Sequence, residues 1–158
     1  SEEIVVTKST IQGLIRNVDN LIAVGTTSLR TLESLFWVGL KLHLGIADLN
    51  IRQWDAYDLE IPYDFTYLTA LQTILDFLKA SDLDSISTKT QLLIAPGYRI
   101  RSVKGIITNF HQPNSTLLLL VAALVGDYWK EIYNHALVND YRFLSYGDGS
   151  LLLRYPLA

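Results

Sequence analysis

Cysteine is absent from the 158 residues, which excludes disulfides, thiolate metal sites and a cysteine nucleophile and fits a reducing compartment. Methionine is absent as well. The chain opens at Ser1, inside what reads as a strand, and is therefore expected to be a piece of something longer. No charge of one sign dominates: 13 Lys and Arg against 16 Asp and Glu leave a formal charge of −3. That is far from the basic signature of a stand-alone nucleic-acid binder, although a local basic patch stays open. Long hydrophobic runs are missing too. The longest, residues 117–125, is about half of what a membrane span needs, and no charged-then-apolar leader opens the chain. A soluble, unexported protein is expected. The three histidines, at 43, 111 and 135, are too scattered to suggest a metal cluster.

What is present is an apolar chain, 49% hydrophobic and only 18% charged, which fits one globular domain of residues 1–158 and stands well away from disorder. A short strand at 3–6 leads to a helix begun by Thr7 or Ser9 and ended around Asn17, Asp19 and Asn20. Residues 21–24 read as a strand buried on both faces, followed by Gly25-Thr26-Thr27-Ser28 and a helix with Leu29, Leu32, Leu35 and Phe36 on one side. A second strand, polar turn and apolar helix spans 105–126. Two such units predict an α/β fold: a layered, largely parallel sheet covered by helices, its turns opening at one edge. Residues 37–88 read as an insertion packed on that sheet. It holds a helix at 66–80, a polar closing stretch at 81–88, and aromatics that either cover their own core or face a partner. Strands are expected at 90–95 and 98–103 on either side of the Pro96-Gly97 turn. A helix from 126 and a final strand at 151–153 follow.

Three polar groupings and one short basic row could carry chemistry. The turn at Gly25, Thr26, Thr27 and Ser28, with Arg30, places amides, hydroxyls and a guanidinium at a helix start; it is either an anion site or a plain N-cap. Its single glycine fits neither the dinucleotide fingerprint nor the P-loop. The loop 108–116 contains Asn109, Ser115 and Thr116 around His111, an imidazole placed for proton transfer or simply a satisfied structural group. Asp148, between two glycines, can accept ribose hydroxyls or serve as a turn residue, and Arg142 can hold a carboxylate or phosphate in a bidentate fork. Strand alternation places Arg99 and Arg101 on one face with Lys104 beyond, a solvated row or a phosphate contact.

These stretches, namely residues 23–34, Ala95-Pro96-Gly97-Tyr98 with 105–118, and 141–149, resemble in order and wording the C-terminal part of the main domain of S-adenosylmethionine:tRNA ribosyltransferase-isomerase, a queuosine-pathway family. The resemblance leaves out 37–88, where the family usually has a shorter link. It implies a cytoplasmic enzyme that moves the ribosyl group of S-adenosylmethionine onto 7-aminomethyl-7-deazaguanine in tRNA. The product is epoxyqueuosine, with adenine and methionine released and no metal required. It also implies a β-barrel and an N-terminal portion of the main domain that are not represented here, so the isolated chain should be inactive. Carried over residue by residue, Gly25, Thr26, Thr27, Ser28, Arg30, Asn109, Ser115, Thr116, Arg142, Tyr146 and Asp148 would line the donor pocket. His111 would transfer a proton, and Arg99, Arg101 and Lys104 would meet tRNA phosphates. The alternative from another class is a non-catalytic α/β module that binds a small anion or docks a protein.

Overall fold

A computed structural model describes residues 1–154. Strand β1 (Glu2–Thr7) turns Ile4 and Val6 inward. Its last residue caps α1 (Lys8–Arg16), the Thr7 hydroxyl accepting from the Thr10 amide at 3.2 Å, and Asn17 closes that helix. β2 (Ile22–Val24) follows, and then α2 (Thr26–His43), which starts directly after Gly25. With φ +88°, Gly25 adopts a backbone that favours glycine.

Helix α2 continues through the first seven residues of the expected insertion, 37–43. It ends in a Schellman motif, in which the Ile46 amide donates to the Lys41 carbonyl and the Gly45 amide to that of Leu42. A short turn, α3 (Asp55–Asp58), leads to α4 (Tyr67–Ala80), capped by Thr66. Helices α2 and α4 pack so closely that a Cβ on Gly39 would lie 2.5 Å from the Ala70 carbonyl oxygen. Segment 37–88 is thus built into the core, with Trp37, Ile51, Leu71, Ile74 and Leu78 fully buried.

Strand β3 (Ser85–Thr90) lies where a polar closing stretch was expected, and it pairs antiparallel with β1. Its inward face is Ile86, Thr88 and Thr90. Thr88 donates to the Leu49 carbonyl at 2.7 Å, and Thr90 shares a 2.7 Å hydrogen bond with Ser34. The strands expected at 90–95 and 98–103 are corrected: beyond Thr90 both segments are irregular. Leu92, Ile94, Tyr98 and Ile100 are still buried, but side chains take the place of a ladder. The Thr90 hydroxyl accepts from the Leu92 amide, and Glu33 accepts from the amides of Arg101 and Ser102.

The second sheet contains β2, β4 (Gly105–Asn109) and β5 (Gly149–Leu153), in the order β2-β4-β5. Between β4 and β5 lie α5 (Thr116–Val125), a 3-10 turn at Gly126–Tyr128, α6 (Trp129–Val138) and a second 3-10 turn at Leu144–Tyr146. The largely parallel sheet is also corrected. Among the described strands only β2 and β4 run parallel; β1 with β3 and β4 with β5 are antiparallel. The reason is positional: the chain re-enters β5 beside the end of β4, where Asn109 faces Gly149, so β5 must run back. Nor do helices cover both faces. Ala23, Ile106 and Leu152 point into the core, whereas Ile22, Val24, Ile107, Leu151 and Leu153 are 45% to 67% exposed. An unbroken apolar strand suggests burial on both sides, but here one side is open.

Candidate functional site

Parallel pairing of β2 with β4 sets the C-terminal ends of both strands at one edge of the sheet. The Gly25 amide donates to the Ile107 carbonyl at 2.8 Å, tying the first turn to the end of β4. The third stretch joins there: the Asn109 side-chain amide donates to the Asp148 carbonyl at 3.2 Å, and the Leu144 amide to the Phe110 carbonyl at 2.8 Å. Three segments far apart in sequence therefore meet at one place, as expected for ligand sites in open α/β sheets.

In the first of these, Thr26, Thr27 and Ser28 form the opening turn of α2. No side chain caps that turn and no acidic residue lies in it, so its amides and the positive end of the helix dipole are unneutralised. Arg30 is directed elsewhere. Its Nη1 donates to Glu2 at 2.6 Å, which draws the guanidinium toward β1.

His111 lies deeper than a loop histidine usually does. It is buried, its Nε2 shares a 3.0 Å hydrogen bond with the Thr108 hydroxyl, and its backbone amide donates to the Tyr133 hydroxyl at 3.0 Å. Burial pushes the imidazole below its ordinary pKa, since the charged form is poorly solvated there. The ring therefore stays neutral at pH 7 and keeps a lone pair. Behind it Phe110 stacks on Phe143 at 5.4 Å and meets Tyr133 and Tyr141 edge-on, fixing the loop against α6. Ser115 uses its hydroxyl to cap α5, accepting from the Leu118 amide at 3.2 Å, while Thr116 is exposed in the first turn.

Arg142 and Asp148 bind each other. The Arg142 amide, Nε and Nη2 donate to the Asp148 carboxylate at 2.5, 3.2 and 3.3 Å. This pairing holds the carboxyl below its usual range and the guanidinium above its own. Gly147 leaves room for it, because a Cβ there would lie 2.9 Å from Arg142 Cζ. Tyr146 is exposed beside the pair.

The basic residues are at the other end of β4. Lys104 precedes Gly105, about 16 Å along the strand from Asn109 at ~3.3 Å per residue, and its Nζ donates to Asn20 at 2.8 Å. Arg99 is exposed. Arg101 lies with Cζ 4.6 Å from the centroid of Phe36 and also over Trp37 and Tyr98, so the three cations form no uniform row. Arg99 also borders a cavity of about 570 Å³ with Asp127, Trp129 and Arg154.

Glu33 was not foreseen. Completely buried, it accepts from Tyr98 Oη at 2.7 Å, from the Arg101 and Ser102 amides at 2.8 and 2.7 Å, and from the Ser102 hydroxyl at 2.6 Å. Trp37 completes the network by donating to Tyr98 at 2.9 Å. The signal was available: Leu29, Glu33 and Phe36 share one face of α2, and a carboxylate among apolar neighbours calls for buried donors. The network joins two of the motif stretches and gives Glu33 and Tyr98 an architectural role.

The profile of a family described as queuosine biosynthesis protein matches residues 1–152, a span that includes 37–88. An Erythrobacter litoralis protein named S-adenosylmethionine:tRNA ribosyltransferase-isomerase is 55% identical over 65 residues, covering 40% of this chain and 19% of the relative. A Cereibacter sphaeroides protein of the same name is 46% identical over 86 residues, covering 54% of this chain and 25% of the relative. The crystal structure of an S-adenosylmethionine tRNA ribosyltransferase from Thermotoga maritima matches with a TM-score of 0.62 and 30% identity, over 97% of this chain and 41% of that one. The chain thus spans a quarter or less of these two curated relatives and under half of the structural one.

Proposed function

The chain belongs to the queuosine biosynthesis protein family, and on that premise we propose that it forms part of the main domain of an S-adenosylmethionine:tRNA ribosyltransferase-isomerase. In this reading S-adenosylmethionine donates its ribosyl group in the cytoplasm to 7-aminomethyl-7-deazaguanine in tRNA. Epoxyqueuosine forms, and adenine and methionine leave. The observation that carries the reading is the meeting of the Gly25 turn, the Asn109 loop and the Arg142–Asp148 turn at one sheet edge.

The residues there have matching chemistry. The unneutralised amides at the start of α2, with Thr26, Thr27 and Ser28, suit the donor's carboxylate. Asn109, Thr116, Tyr146 and the Arg142–Asp148 pair contact its sugar and base, with Ser115 capping α5 behind them and Arg30 bordering the turn while paired with Glu2. His111 is the proton-transfer group, because the reaction needs a base near the sulfonium-activated ribose and an acid or base at the departing adenine. A neutral imidazole is available for this across the physiological range. Arg99, Arg101 and Lys104, at the far end of β4, meet tRNA phosphates. The 158-residue chain alone does not turn over.

The test is His111→Ala in the family-length enzyme that carries this sequence. Turnover should fall by roughly 10²-fold or more. Since burial depresses the imidazole, the acidic limb of kcat/KM should lie below pH 6.5, the ordinary histidine value, and should vanish in the variant. Near-normal turnover with an unchanged pH profile would remove His111 from the chemistry.

A further inference from the structure

Three strand edges have no strand partner among the described residues, those of β1, β2 and β5, and the first two border the same part of α2. On β2, the Gly25 amide and the Leu21 carbonyl bond toward β4. The two-residue period of a strand then directs Ala23 the same way and aims the N–H and C=O groups of Ile22 and Val24 outward. On β1, the Lys8 amide bonds to the Asp84 carbonyl on the β3 side, so Ile4 and Val6 face β3 while Glu3 and Val5 aim their backbone groups away. The far side of β3 is already occupied, because Ile51 bridges to it through the Lys89 carbonyl and the Gln91 amide.

Thr27 and Thr31, one turn apart on α2, border both edges. They line a cavity of about 370 Å³ together with Ile22, Ala23 and Val24, and another of about 500 Å³ together with residues 2–5. The two sheets are therefore separated by a groove with α2 as its floor. Free edges of soluble proteins are usually guarded by charge, proline or a bulge, yet β2 presents only Ile22, Ala23 and Val24. Beside the groove the buried Oε2 of Glu2 and Nε of Arg30 lack hydrogen-bond partners.

We propose that this groove receives a β-strand from the portion of the family polypeptide that this chain does not span, pairing with β1 on one side and β2 on the other and joining the two sheets into one. The occupant follows from length. The chain is covered to 97% by the Thermotoga maritima structure but accounts for only 41% of it, so most of that polypeptide is available to supply the strand. A second copy of this chain is a poorer fit. Each of its free edges belongs to a strand already paired on the other side, β1 with β3 and both β2 and β5 with β4, so it can meet one edge but cannot lie between both. Backbone pairing of this kind gives affinity without requiring a particular sequence.

The test is amide hydrogen exchange, read by NMR on the 158-residue chain, alone and mixed with the complementary portion of a family member supplied as a separate polypeptide. Alone, the amides of Glu3, Val5, Ile22 and Val24 should exchange fast while those of Ile4 and Ala23 are protected. In the mixture a complex should form and all four should slow by about 10²-fold or more. A Val24→Pro chain, which deletes an outward N–H and leaves the β4 ladder in place, should bind at least about tenfold more weakly. Absence of a complex, protection on one strand only, protection arising from self-association of this chain, or undiminished binding by Val24→Pro would each overturn the proposal.

Discussion

Glu33 shows how one residue can hold two remote segments together, since every donor it satisfies belongs to Tyr98, Arg101 or Ser102. Removing the carboxylate with Glu33→Ala leaves buried hydroxyl and amide donors unpaired, at about 1–3 kcal/mol each. Urea unfolding should show a loss of about 3 kcal/mol or more, with Glu33→Gln clearly milder because it keeps a carbonyl acceptor and the volume. A loss under about 1 kcal/mol for the alanine variant would mean that the network adds little. Glu33 was legible in principle from its place on the apolar face of α2. The depth of His111 was not, because its sequence neighbours Asn109, Gln112 and Asn114 are polar and the wall behind it comes from Tyr133, on a different helix. The mutual pairing of Arg142 with Asp148 was hidden for a similar reason: sequence shows that two charges exist, while the turn brings them into contact.

Among the elements, helices were easier to read than strands. Thr7, Thr66 and Ser115 each stand at a helix start and accept from the amide three residues on, a local arrangement that sequence shows directly. The strands depend on partners. β3 is hard to read because two of its three inward residues are threonines beside the single aliphatic Ile86, and 98–103 imitates a strand because alternate burial there arises from packing and from Glu33. The joint between α2 and α4 makes a sharp prediction. Gly39 meets backbone atoms of Ala70, which cannot swing aside as a side chain would, so Gly39→Ala must push the helices apart. Overpacking of this kind costs about 1–3 kcal/mol, despite alanine's better helix propensity. Thermal unfolding should show a lowered Tm, whereas an unchanged or raised Tm would contradict the close crossing.

At the scale of the whole molecule, the sheet β2-β4-β5 organises the rest. One face rests on helices, the other exposes a row of aliphatic side chains, and the motif stretches gather at one end while Lys104 and Arg99 lie toward the other. Sequence patterning reached the α/β class and the shared edge, since both follow from two strand-turn-helix units in parallel. It missed the antiparallel pairs and the open face, which depend on where distant segments return. The central claim is that residues 25–30, 109–116 and 142–148 together form the S-adenosylmethionine pocket. Its most direct test is hydrogen exchange by mass spectrometry on the family-length enzyme, with and without S-adenosylmethionine. The account predicts slowed exchange in the peptides covering all three stretches; protection confined elsewhere, for instance to the cavity of Arg99, Trp129 and Arg154, would contradict it.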